Sequence, residues 1–301
     1  MILLAETPAL LPPSSSRDDI ARSLEAARLT GWRIYEMPPD FSDCGTAENA
    51  LWHVPPQSEP TPTLWLGYIP DLARYEAIFE AAGAKNLVLL NTPQQHQIVQ
   101  EFDAAYPFLE GLTPRSAIAN SVEMALELAP QVGFPIFVKG AVQSRKSRGW
   151  KACVAQSETE LRDLCAQMLS LEQRSRGRVV LREVVNLRHS RSAGDFPMGR
   201  EFRLFLLRGE VLACGYYWEG DDPLKDLSRE ERQKVENMAR LAAQRLPAPY
   251  VAVDIGQLEN RDWTIIETGD PQFSGLSQIA PLEWWHRLKT LLTPEADLTP
   301  K

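Results

Sequence analysis

Apolar residues along this chain change their period several times, and those changes mark its elements. Residues 1–5 are a short apolar run, and 16–29 follow with Asp and Arg interleaved at helical spacing, the pattern of a βα start. A strand is expected over 31–37, a long loop rich in Pro, Ser and Thr over 38–62, and a strand over 63–68. An amphipathic helix over 72–82 and a continuous apolar strand over 86–90, suited to a parallel sheet, complete this region. Helical spacing returns over 93–105, and 111–115 reads as a connector. Beyond it, paired strands predominate. Asn120 with Glu123 predicts a capping-box start for a helix ending near Gly133. Strands over 134–140 and 150–155 flank a basic polar loop, a helix covers 157–171, and a strand covers 178–186. Strands 200–207 and 210–218 meet at Arg208-Gly209, a tight-turn pair. Residues 228–244 read as a helix, and 250–256 with 263–267 as a last hairpin. The pattern predicts an α/β (α+β) protein with a small α/β domain over 1–112 and a second domain over 113–301.

With 301 residues, 44% of them hydrophobic, the chain can bury two cores. A net charge of -8 argues against a general nucleic-acid binder, which needs an excess of Lys and Arg. Cys44, Cys153, Cys165 and Cys214 are scattered without metal or redox spacing, which fits a reducing cytoplasm. The first residues lack the basic start of a signal peptide, and no apolar run is long enough to span a bilayer, so no membrane association is expected.

Three stretches could carry chemistry. Centring the last hairpin's turn on 259–262 places Asp254 opposite Glu267, with Asp270 just past the strand end. Facing carboxylates repel unless a cation lies between them, and three hard oxygen ligands suit Mg²⁺. Solvated acids on a surface hairpin would give the same letters, but Asp254 and Glu267 sit within apolar runs where an unpaired charge is expensive. Second, Lys139 ends the apolar strand Gly133-Phe-Pro-Ile-Phe-Val-Lys139 and precedes the basic loop Gln143-Ser-Arg-Lys146-Ser-Arg-Gly149. A Lys on a rigid strand can hold a phosphate, although a snorkelling Lys looks the same. Third, Glu201 and Arg203 share one strand face, offering a fixed guanidinium for a phosphoryl oxygen, or a structural pair. The isolated histidines, His96 and His189 among them, read as surface or satisfied residues, and Trp284 and Trp285 as packing residues.

In order, Gly-Phe-Pro-Ile-Phe-Val-Lys139, a loop, Val179-Val-Leu-Arg-Glu-Val184, Glu201-Phe-Arg203, Val253-Asp254 and Ile266-Glu267-Thr-Gly-Asp270 resemble the motifs of the ATP-grasp superfamily. The spacing of Asp254 and Glu267 is similar to D-alanine:D-alanine ligases, and Glu201-x-Arg203 to the ribosomal-protein glutamate ligase branch. Val-Leu-Arg182 and Glu-Phe-Arg203 also resemble a eukaryotic cell-division-cycle ATP-grasp assembly chaperone. The N-terminal region and Asp270-Pro-Gln-Phe-Ser-Gly275 look most like a divergent bacterial and phage clade of predicted ATP-grasp ligases. The chain departs from the usual final Glu-x-Asn, with Glu267-Thr-Gly-Asp270, and has Ala252 where some ligases place an Arg.

The resemblance implies an ATP-grasp fold in which two α+β subdomains clasp ATP, with 135–190 as the smaller lid. It implies that Lys139 meets the α- and β-phosphates, and that Lys146 or Lys151 covers them. Arg182, Glu183, Val184 and Val185 would line the adenine and ribose, Glu201 would border the nucleotide, and Arg203 would face the transferring phosphate. Asp254, Glu267 and Asp270 would hold Mg²⁺ or Mn²⁺. The implied activity is ADP-forming carboxylate–amine ligation through an acylphosphate, on small-molecule or peptide substrates. The rival is an ATP-dependent assembly factor that docks a protein partner. Glu267 and Lys139 are expected on opposite sides of one triphosphate, so that Glu267→Gln relieves repulsion in the apo protein and Lys139 can be lost without orphaning a buried partner.

Overall fold

The computed structural model describes residues 1–293; 294–301, the end of the domain expected over 113–301, lie outside the described residues. The chain forms two compact units, one from residues 1–96 with the segment from Asp270 onward, the other Gln97–Gly269.

The first unit is built on a parallel sheet. Its strands are Ile2–Glu6 (β1), Arg33–Met37 (β2), Thr61–Leu66 (β3) and Leu87–Leu89 (β4), in the order β2-β1-β3-β4. β1 is buried along its whole length, as its unbroken apolar run requires. Helices Ser15–Leu29 (α1) and Leu72–Gly83 (α3) make the crossovers, and a short helix Ala47–Ala50 (α2) interrupts the expected loop. A helix over Pro281–Leu292, unforeseen in the sequence, packs on α1 and buries Trp284 and Trp285; Trp285 Nε1 donates to Ser23 Oγ at 2.9 Å.

Helical residues 93–105 divide into Pro93–Gln100 (α4) and Phe102–Leu109 (α5), broken at Glu101, whose carboxylate together with that of Asp103 takes the Arg178 guanidinium. The second unit then contains two four-stranded antiparallel sheets. The first joins Ser116–Ala119 (β5), Ile136–Gly140 (β6), Val154–Ala155 (β7) and Val179–Glu183 (β8) in the order β5-β8-β6-β7. Residues 150–152, expected as strand, form a 3₁₀ turn instead. Helix Val122–Val132 (α6) starts at Ser121, whose hydroxyl takes the Met124 amide, so the cap is one residue later than Asn120. With Glu158–Leu169 (α7) it covers Ile136, Val138, Val179 and Leu181, and Glu172–Ser175 (α8) leads into β8.

Next come His189–Ala193 (β9) and Phe196–Gly199 (β10), a separate two-stranded hairpin. Glu201–Leu207 (β11), Glu210–Tyr216 (β12), Tyr250–Gln257 (β13) and Trp263–Gly269 (β14) build the larger sheet, in the order β12-β11-β13-β14. Arg208 and Gly209 turn with φ of 52° and 84°, the backbone a two-residue hairpin needs. Helix Arg229–Arg245 (α9) starts on a complete Ser228/Glu231 capping box and packs Val235, Ala239 and Ala242 on Phe202, Leu204, Val253 and Ile265. Alternation therefore turns Glu201 and Arg203 to the other face.

Gly140 lets β6 pass the backbone of Arg174, where a Cβ would collide with the carbonyl. Gly140→Ala should lower stability by about 2 kcal/mol, the scale of overpacking a dense interior. A urea midpoint equal to that of the parent would show that this close approach places no constraint on Lys139.

Candidate functional site

The register of the larger sheet sets one row of charge: Arg203 pairs with Asp254, and Asp254 with Glu267. The facing pair expected from the sequence is present, although a bulge between Asp254 and Ile255 is what brings it about. Nearer the turn, Ile255 pairs with Ile265, one residue out of that register. Arg203 grips Asp254 with two bonds, Nε to Oδ1 and Nη2 to Oδ2, each 2.7 Å. Such a fork suits a planar guanidinium and offsets much of the cost of burying both groups.

The polar face of the smaller sheet supplies the opposing cations. Phe137 lies opposite Arg182 and Lys139 opposite Val180, so all four share the face turned away from α6 and α7. Lys139 is bonded to Glu267, and Arg182 Nη1 donates to the Ile266 carbonyl at 2.7 Å, so both reach the larger sheet. Phe102 lies under both cations, 4.0 Å from the Arg182 guanidinium carbon and 5.1 Å from Lys139 Nζ. Arg182 is 6% exposed, yet its Nε and Nη2 have no hydrogen-bond acceptor. Buried N–H groups in that condition need an acceptor that the protein itself does not supply, an ordered water or a ligand oxygen. Lys146 comes from the segment after β6; its Nζ bonds the Tyr217 hydroxyl at 2.7 Å and lies over the Tyr217 and Trp218 rings.

Lys139, Lys146, Arg182 and Glu267 border one cavity; the Arg203–Asp254 pair, next in the sheet row, is not part of its lining. Phe137 and Ile266 give it apolar walls, Glu183, Val184, Val185, Asn186 and Leu187 line it past the end of β8, and Lys139, Lys146, Arg182, Glu201 and Glu267 supply its charge. Pro114, Ser144, Trp150, His189, Phe196, Pro197, Trp218 and Glu259 complete the lining. His189 and Phe196 escape a reading of the sequence because β9, β10 and the turn between them carry Ser, Arg, Gly and Asp, which read as loop. Lys151 is exposed and outside this lining. Asp270 lies in the first unit, fully buried, where its carboxylate bonds His96 Nδ1 at 3.0 Å and the Gln272 backbone amide at 3.1 Å. His96 is stacked on Tyr75, a satisfied histidine as expected. Among the described residues no three His, Cys, Asp or Glu side chains are grouped as metal ligands, so the structure does not show the expected convergence of three carboxylates.

The contact between Lys139 and Glu267 overturns two expectations. The two do not stand apart on opposite sides of a ligand; they form an ion pair with Lys139 almost wholly enclosed. Asp254 and Glu267 are each offset by a cation, so no strong repulsion is left for Glu267→Gln to relieve, and neither member of the Lys139–Glu267 pair can be removed without orphaning the other. Burial pulls the Lys139 ammonium below its ordinary range against the pull of Glu267, while Lys139, Lys146 and Arg182 hold Glu267 below the usual carboxylate value despite its burial. Glu201 behaves differently. Burial pushes its carboxyl up to about 7, opposed by Lys146 and reinforced by Asp254 and Glu267.

Lys139, Lys146 and Arg182 thus face Glu201 and Glu267 beside an apolar slot, with the Arg203–Asp254 pair adjacent in the sheet. The family of ATP-grasp domains described as family 3 of the R-2-K clade matches residues 128–288. The chain belongs to this ATP-grasp family. Solved structures agree at the level of fold. A RimK domain protein ATP-grasp from Sphaerobacter thermophilus is 10% identical with a TM-score of 0.60, covering 95% of this chain and 98% of its own. The D-alanine–D-alanine ligase of Bacillus anthracis complexed with ATP is 12% identical with a TM-score of 0.66, covering 97% and 95%. A D-cycloserine synthetase is 12% identical with a TM-score of 0.61, covering 97% and 99%. A search of curated proteins finds no match. This ATP-grasp chain therefore shares its fold with carboxylate–amine ligases, and among the described residues no helix is long and apolar enough to cross a membrane.

Two measurements probe the electrostatics without any ligand. Lys139→Met and Glu267→Gln should each lower apo stability on the order of 3 kcal/mol, and the double variant should lose at least ~1 kcal/mol less than their sum. An apo Glu267→Gln that melts above the parent would restore the repulsion account. For Glu201 the folded carboxyl is raised from 4.5 to about 7, so its contribution is complete below pH 4.5 and is lost as pH climbs to 7. Glu201→Gln should gain on the parent over that window by on the order of 3 kcal/mol; parallel stability–pH curves would refute the assignment.

Proposed function

We propose that this chain is an ATP-dependent carboxylate–amine ligase that releases ADP and phosphate. The observation that carries the reading is Arg182, enclosed in the cavity with two N–H groups lacking acceptors, beside Lys139 and Lys146 and opposite the Arg203–Asp254–Glu267 row. The family and the shared fold support it. In this proposal residues 113–301 are the ATP-grasp domain, 135–190 its lid, and 1–112 the preceding domain.

The slot between Phe137 and Ile266 takes the adenine, with Val184 and Val185 at its edge and Glu183 as the polar side chain toward the ribose. Lys139 and Arg182 bind phosphate oxygens, and Lys146 approaches from the covering segment with Lys151 at its outer end. Asp254 and Glu267, two adjacent hard carboxylates, fit Mg²⁺ or Mn²⁺, which takes one or two carboxylates and fills its shell with phosphate and water oxygens. When bound, the ion would supply charge neutralisation at the phosphates. Asp270, the third ligand the resemblance implies, is left in this proposal to His96 and Gln272.

A substrate carboxylate oxygen attacks the γ-phosphorus, the bond to the bridging oxygen breaks and ADP leaves. An amine nitrogen then attacks the acyl carbon of the acylphosphate, phosphate departs, and the nitrogen gives up a proton. Arg203 is held by Asp254 in a fixed orientation toward the transferring group, so it stabilises charge without reorganising. Lys139 contributes binding before and during transfer, and Glu201 borders the nucleotide near Lys146. Most of the rate comes from positioning and electrostatics, as in other phosphoryl transfers.

Incubation with ATP, Mg²⁺ and a pool of amino acids, followed by chromatography, should yield ADP and phosphate, and Glu267→Gln should lower turnover by at least about a hundredfold. AMP and pyrophosphate as products would exclude the acylphosphate route. ATP bound but never turned over with any acceptor would favour the assembly-factor reading. Undiminished ATP affinity after complete metal chelation would remove Asp254 and Glu267 as ion ligands.

A further inference from the structure

The hairpin of β9 and β10 is anchored at its root, lines the cavity with His189, Phe196 and Pro197, and carries an exposed tip. At the root, Asp222 is 1% exposed and accepts from Ser190 Oγ at 2.7 Å, Arg191 Nε at 3.0 Å, Tyr216 OH at 2.9 Å and the Leu224 amide at 2.8 Å. Arg200, just past the hairpin, is 3% exposed and tied to Glu231 and Gln257 at 2.6 Å each. The arm cannot swing freely. At its tip, Gly194 turns with φ of 61° and presents Asp195, whose Oδ1 accepts from the Trp150 amide at 2.9 Å.

The partner segment, 144–152, has a backbone shaped for this contact. Gly149 takes φ 92° and ψ 178°, a conformation essentially reserved for glycine, and a Cβ there would collide with Asp195 Oδ1. The Trp150 ring then lies 5.8 Å from that of Phe196. Four residues earlier the same segment carries Lys146, whose ammonium rests on Tyr217 and Trp218 inside the cavity. The start of the segment is fixed where Arg174 Nη1 donates to the Ser144 carbonyl at 2.6 Å and Arg145 bonds Gln167; beyond it, Lys146 and the tip of a braced arm hold the rest. The Asp195 contact is exposed, so it can be made and broken with each opening of the cavity.

We propose that Asp195 is a positioning residue that holds Gly149–Trp150 against the hairpin and so sets Lys146 over the bound polyanion. The step from loop position to ligand binding rests on the nucleotide-site reading above; the latch itself does not. Limited trypsin digestion of the full chain separates the two, because the segment contains Arg145, Lys146, Arg148 and Lys151 as cleavage points. Without nucleotide, Asp195→Ala should be cut within 144–152 about five- to tenfold faster than the parent, as expected for losing one exposed charge-assisted bond. Asp195→Asn, which keeps the acceptor oxygen, should be cut at close to the parental rate. Gly149→Ala should match Asp195→Ala, and the melting temperature of Asp195→Ala should stay at the parental value. ATP with Mg²⁺ should protect the parent, and Asp195→Ala should need a several-fold higher ATP concentration for the same protection.

Equal cutting of Asp195→Ala and parent, with both protected by ATP, overturns the latch and leaves the nucleotide site standing. Asp195→Asn cut as fast as Asp195→Ala also overturns it, since the acceptor would then not be what matters. Faster cutting of Asp195→Ala with no protection by ATP in any protein supports the latch and defeats the nucleotide reading instead.

Discussion

Charge neutralisation inside one cavity constrains the arrangement of the second unit. Asp254 and Glu267 are adjacent on a sheet whose other face is packed against α9, and burying either carboxylate alone would carry a large desolvation cost. Arg203 answers Asp254 from the same sheet, so that pair is set by strand register alone. Glu267 is answered from the other sheet, by Lys139. The two sheets are thereby bridged at their polar faces, with the Arg182 bond to the Ile266 carbonyl beside the ion pair. Each sheet keeps its own helices and its own apolar core, and what they share is this layer of charge.

That arrangement explains why the site can be both stable and receptive. A cation fully committed to carboxylates would have little to offer a ligand, and one with no partner would destabilise the fold. Here the work is divided: Arg203 is forked onto Asp254 and rigid, Lys139 is paired and enclosed, and Arg182 has one bond made and two N–H groups without a protein acceptor. Phe102 beneath Lys139 and Arg182 gives them an attractive aromatic face in place of water.

Much of the larger sheet can be read from the letters, because its signals are local. The Arg208-Gly209 turn, the alternation of Glu201, Arg203 and Phe205, and the position of Asp254 opposite Glu267 each follow from spacing within a hairpin. The bulge at Asp254 shows the limit: counting from a symmetric turn finds the pair, whereas the observed ladder slips by one residue before reaching it. Pairings between distant segments are not legible. Nothing near Lys139 in sequence announces Glu267, and nothing near Asp270 announces His96. The hairpin of β9 and β10 is hidden because its polar, glycine-containing sequence has no buried face to impose a period, and the helix over Pro281–Leu292 shows itself only in the two tryptophans assigned to packing.

That hidden hairpin matters because of what it does to the segment it touches. A basic loop rich in Ser and Gly has many conformations in water, and a conformation that places Lys146 over a ligand has to be selected from among them. Apolar packing contributes only through Trp150 against Phe196, since Arg148 and Lys151 are exposed. A few directional contacts do the rest of the selecting. Gly149 permits a backbone geometry that other residues resist, Asp195 accepts the one amide that this geometry presents, and the Tyr217 hydroxyl receives the ammonium at the segment's other end. Because the root of the arm is buried on Asp222 while its tip is in water, the position of the segment is specified by a rigid element yet released through a weak contact. A covering element over a nucleotide site needs both properties, since it must return to the same geometry in every cycle and must also open.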